Sequence, residues 1–166
     1  MKKIIALALV VVMLCSMATM IASAADLTPD NMTEDITISY SAGEYYEVTI
    51  PPDITLGGIN EYVVSSTGVK VANASLLEGN KLKVTAQSAN NFTVNMKGTT
   101  HKVAYSMRYG ENNTEVSSAT GPITLIDIHS GVTTANCPIA FKRTGSAAVS
   151  GDYTDTITFT VSVYRP

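Results

Sequence analysis

The stretch from Tyr153 to Val163 constrains the fold more than any other part of the chain. Ile157, Phe159, Val161 and Val163 are apolar, and Thr154, Thr156, Thr158, Thr160 and Ser162 between them carry hydroxyls. Successive side chains of an extended strand point to opposite faces, so a period of two makes one apolar face and one hydroxyl face. Wound as an α-helix, the same residues would scatter their apolar groups around the axis and leave no stripe to bury. Residues 153–163 are therefore predicted as one long strand, packed on a core on one side and wet on the other. Ser150-Gly151-Asp152 supplies the turn before it.

Windows of the same kind recur at 36–40, 46–50, 62–65, 69–71, 82–86, 92–96, 103–109, 123–126 and 139–142. Gly, Asn, Asp and Pro separate them, which is the punctuation of strands joined by turns. Pro51-Pro52 closes the 46–50 window, because proline has no N–H to give a ladder. The chain is rich in Thr and Val, which favour pleated surfaces, and no window of a dozen residues holds a 3.6 period. Residues 73–79 fit either a helical turn or a short strand. The reading is an all-β fold: a single antiparallel β-sandwich, immunoglobulin-like or jelly-roll-like, of about eight or nine strands over residues 36–166.

The first residues follow a different logic. Met1-Lys2-Lys3 is basic, residues 4–14 are an almost unbroken apolar run, and Ala22-Ser23-Ala24 is an A-x-A pattern. This is the layout of a secretory signal peptide over residues 1–24, cleaved near Ala24. The apolar run is short for the ~30 Å of a bilayer core. Residues 25–35 are polar and acidic and read as a flexible lead-in to the sandwich. The expected location is secreted or at the cell surface.

Removing the leader takes Lys2 and Lys3 and moves the formal net charge from −3 to −5. An acidic chain without a basic stripe has no long-range attraction for nucleic acid, so none is expected as a partner. No second apolar run reaches about 18 residues, so no membrane span is expected in the mature chain. Cys15 would leave with the leader. Cys137 then has no internal disulfide partner and, beside Pro138-Ile139, reads as a small buried hydrophobe, with a disulfide between chains as the alternative.

Two stretches resemble known proteins. Gly151-Asp152-Tyr153-Thr154-Asp155-Thr156-Ile157-Thr158-Phe159-Thr160-Val161-Ser162-Val163 resembles the final strand of small secreted bacterial β-sandwich surface proteins. That group includes spore-coat-U-type domains and, more distantly, fimbrial subunits. Tyr46-Glu47-Val48-Thr49-Ile50-Pro51-Pro52-Asp53-Ile54-Thr55-Leu56 is similar to the opening of an uncharacterised exported family of Gram-positive bacteria. The resemblance implies a sandwich displayed on, or secreted from, the cell. The chain departs from fimbrial subunits in lacking their paired cysteines and in placing Tyr164 third from the end.

Asp127-Ile128-His129 sets a carboxylate and an imidazole on one face of an extended segment, and His101 and Cys137 complete a conceivable metal set. Zinc sites use tighter ligand pairs, so no metal ligand and no cofactor is expected. No G-x-S-x-G elbow occurs, and Ser130-Gly131 lacks a strand-to-helix context, so no catalytic residue is assigned and the chain is read as not an enzyme. Asp53, Asp152 and Asp155 sit in or beside turns and are read as turn caps. The sequons at Asn31, Asn73, Asn91 and Asn112 follow from an Asn- and Thr-rich composition. Tyr105 and Tyr109 are expected to fill the core, whereas one of the neighbours Tyr45 and Tyr46 must face out. The expected function is a non-catalytic surface, coat or matrix protein that works through protein partners or self-association. The alternative is a carbohydrate- or ligand-binding module whose partner is a surface glycan.

Overall fold

A computed structural model describes residues 40–166, of which Glu44–Pro166 form one compact unit. The leader, the lead-in and all of the 36–40 window except Tyr40 lie outside the described residues. The unit holds strands and no helix among the described residues. In chain order they are β1 (Tyr45–Thr49), β2 (Tyr62–Val64), β3 (Val69–Ser75), β4 (Lys81–Ser88), β5 (Thr93–Met96) and β6 (Lys102–Tyr109). Then come β7 (Thr114–Val116), β8 (Ile123–His129), β9 (Ala135–Cys137), β10 (Ile139–Arg143), β11 (Tyr153–Thr154) and β12 (Ile157–Tyr164).

Every ladder between these strands is antiparallel. One sheet runs β1-β3-β9, a second β11-β5-β6-β10-β2, and a third β12-β4-β8. β6 organises the second sheet. Its first half pairs with β5, its last three residues pair with β7 on the same side, and β10 lies on the other side. The fold is all-β and sandwich-like.

Alternation decides which side chains meet. Val69 and Val71 of β3, Leu82 and Val84 of β4, Met107 of β6, Ile126 of β8 and Ile139 of β10 are buried in one cluster drawn from all three sheets. Burying a side chain of this size contributes about 1.5–3 kcal/mol, so this cluster carries the fold. Cys137 joins it at 2% exposure, as a small hydrophobe should, and burial pushes its thiol pKa up. The turn from β2 into β3 passes through Gly68 at φ 61°, where a Cβ would stand 2.7 Å from the carbonyl oxygen of Cys137. Only glycine fits both the conformation and the approach.

The described residues hold twelve strands, above the expected eight or nine, for identifiable reasons. β7 and β9 are three residues each, too short to show a period. The 153–163 stretch is not one strand. It breaks at Asp155-Thr156, and the pieces join different sheets, β11 on β5 and β12 on β4. The undecided 73–79 region begins as the end of β3 and then turns, with Asn80 N–H donating to the Leu77 carbonyl.

Candidate functional site

The break in the last alternating stretch is made by Asp155. Its carboxylate accepts from the Ser88 hydroxyl at 2.6 Å, from the Tyr105 hydroxyl at 2.5 Å and from Asn90 Nδ2 at 2.9 Å. It also accepts from the backbone N–H groups of Asn90 and Thr156. Burial, and then the bond to Asp155, push the Tyr105 hydroxyl pKa well above its ordinary value. Tyr105 is therefore a neutral donor, and the carboxylate is fully occupied. The same cluster clamps the β4–β5 turn, where Asn91 and Phe92 both have positive φ and Phe92 N–H donates to the Ser88 hydroxyl. A bulky residue in that region is strained, and the surrounding bonds hold it there.

Above this cluster the packing opens into a cleft of about 990 Å³. Val94, Val103, Tyr105, Phe141, Ile157 and Phe159 line it, and residues 50–56 and 147–152 bound it. The wall is mainly apolar. Its polar groups include the occupied Asp155–Tyr105 pair, Arg143, Asp53 and Asp152, and the hydroxyl residues Thr55, Ser150, Tyr153 and Thr154. Arg143 Nε is buried without a hydrogen-bond partner among the described residues.

A second polar cluster lies on the outer face of the β2-β10-β6-β7 region. Glu115 accepts from Lys142 Nζ at 2.8 Å, from the Ser106 hydroxyl at 2.6 Å and from the Tyr62 hydroxyl at 2.7 Å. The Lys142 bond, followed by those of Ser106 and Tyr62, pulls the Glu115 carboxyl down to about 2. Arg108 and Lys142 also sit over the Tyr62 ring, at 4.1 and 4.7 Å from its centre. Glu115 is the shared acceptor for side chains from β2, β6 and β10, so the geometry is that of a cross-strand clamp.

The conceivable metal set is dispersed. Asp127 and His129 share the outer face of β8, as their spacing requires, but Asp127 accepts from the Tyr164 hydroxyl at 3.0 Å and His129 Nδ1 meets its neighbour's carbonyl. His101 lies in the β5–β6 turn and Cys137 in the core. Among the described residues no three His, Cys, Asp or Glu side chains converge. Tyr105 is buried and Tyr109 half-buried; Tyr45 is exposed and Tyr46 half-buried. Asp155 does far more than cap a turn, while Asp53 and Asp152 stay exposed at the cleft rim. Asn73 and Asn91 occupy positive-φ positions, which asparagine tolerates, and Asn31 lies outside the described residues. Sequence reasoning missed Arg143 and Glu115. The signal for Glu115 was absent, because its strand is three residues long.

Compared with known proteins, the chain matches no family model and no curated relative.

Proposed function

We propose that this chain is an exported, non-catalytic surface, coat or matrix protein that works through protein–protein contacts, including self-assembly. The observation that carries the reading is the apolar cleft beside a half-buried last strand. An opening walled by Val94, Val103, Phe141, Ile157 and Phe159 gains by burying apolar side chains of another polypeptide. A sugar site needs free donors and acceptors at set positions, and here Asp155 and Tyr105 already satisfy each other. Ser88, the hydroxyl closest to a nucleophile's setting, donates to Asp155, and neither His101 nor His129 hydrogen-bonds to it. Export rests on the leader-like residues 1–24, and the surface role agrees with the likeness to spore-coat-U-type domains.

The second reading, a glycan-binding module, is favoured by Arg143 Nε and by Asp53 and Asp152 at the rim. Size-exclusion with light scattering and electron microscopy of the purified chain test the first; a glycan array tests the second. Concentration-dependent assembly without glycan binding is the expected result. A monodisperse monomer that binds a saccharide would overturn the contact reading.

A further inference from the structure

Each sheet ends in strands with one unpaired side, and such edges are protected in recognisable ways. β1 carries a register shift and Glu47, and Pro51-Pro52 follows it closely. β2, β7 and β9 are three residues long and β11 is two. β8 is long, but its ladder shifts at Val84/Thr85 and it carries Asp127 and His129. β12 has none of these devices. It runs eight residues, without a charge, a proline or a register shift, as Ile157-Thr158-Phe159-Thr160-Val161-Ser162-Val163-Tyr164.

The ladder shows which of its backbone groups point outward. Ala89 N–H donates to the Thr156 carbonyl, so the even-numbered residues face β4. Ile157, Phe159, Val161 and Val163 turn their N–H and C=O groups away from it. Among the described residues no backbone bond reaches that outer side.

We infer that β12 pairs antiparallel with β12 of a second copy about a two-fold axis at Thr160. The inference rests on the contact reading above and names the partner and the contact. An isologous pairing must be self-complementary, and the sequence is. With Thr160 facing Thr160 of the second copy, Ile157 faces Val163, Thr158 faces Ser162 and Phe159 faces Val161. Apolar groups meet apolar groups on one face, hydroxyls meet hydroxyls on the other, and the outward backbone groups fall in hydrogen-bonded pairs. Self-pairing of β8 or β7 on comparable terms lacks this match, because each carries an ionisable outward residue. The result is a continuous sheet, β8-β4-β12 followed by its symmetry mate.

Sedimentation velocity on the purified chain over a wide concentration range is expected to show a reversible dimer. Thr160 is exposed, so Thr160→Lys leaves the fold intact while placing two like charges face to face. It is expected to weaken dimerisation by about tenfold or more, as is Thr160→Glu, and mixing the two variants is expected to restore a heterodimer. Thr160→Cys is expected to cross-link to itself on oxidation, since facing residues of a non-hydrogen-bonded pair lie within disulfide reach and the native Cys137 is buried. Two results would overturn the inference alone: a chain that assembles equally well with Thr160→Lys, or one that sediments as a monomer while its Phe159 and Val161 amides are protected from exchange. The second means that the chain itself covers the edge. A monomer that binds only a saccharide overturns the contact reading as well.

Discussion

β4 and β12 are neighbours of equal length, paired residue for residue, and both alternate without interruption. Their inner faces nevertheless differ in depth. Leu82 and Val84 are 0% exposed, whereas Ile157, Phe159, Val161 and Val163 are all half-buried. The period of two fixes which way a side chain points. Depth depends on what lies across and beside the strand, and β4 is flanked on both sides while β12 is flanked on one and opens onto the cleft. Among the described residues, the least protected edge and the 990 Å³ cleft thus meet at the same strand.

That contrast predicts a ranking of losses. Leu82→Ala leaves a cavity in the closed core and should cost about 2–5 kcal/mol in denaturant unfolding. A loss below 1 kcal/mol would mean the core relaxes around β4 far more than its burial implies.

Asp155 ties the start of β12 to the end of β4, so its removal tests the hinge between the two strands. Asp155→Ala strands the Ser88, Asn90 and Tyr105 donors and should cost about 1–3 kcal/mol. Exchange of the Phe92 amide should quicken with it, because Ser88, which accepts that N–H, loses its own acceptor. Unchanged exchange would show that the β4–β5 turn stands without the carboxylate.

Phe159→Ala should cost about 1–2 kcal/mol, well under the 3–5 kcal/mol typical of a fully buried phenylalanine. A loss equal to that of a core phenylalanine would mean that the cleft is closed in solution and the two strands are alike after all.

These contrasts also mark how far the residues alone could be read. The direction of nearly every side chain in β4, β6 and β12 follows from alternation, and so does the all-β class. The cleft was not legible. It depends on residues 50–56 and 147–152, which have no period, meeting the start of β12 from distant points of the chain. Asp155 looked like a turn residue because nothing local reveals that Ser88, Asn90 and Tyr105 come to it from far along the sequence. The division of 153–163 between two sheets was hidden for the same reason. The pattern continues through Thr154, Thr156 and Thr158, and only the bonds to Asp155 break the strand.

β7 offers a third kind of edge, pinned by charge rather than by packing, and it should give the smallest effect. The Glu115 carboxyl is drawn from its ordinary 4.5 down to about 2, chiefly by Lys142. The fold therefore favours the ionised form. Its contribution is complete above the unfolded value, and is lost as pH falls through the window from 4.5 towards about 2. Glu115 is exposed, so solvent screens the pair and the shift overstates its worth. Glu115→Gln should lower Tm slightly at about pH 6 and make little difference near pH 2, where most of the charge-dependent contribution has been lost. An equal gap at both pH values would assign the loss to shape rather than charge. β7 would then be held by the same packing terms that separate β4 from β12.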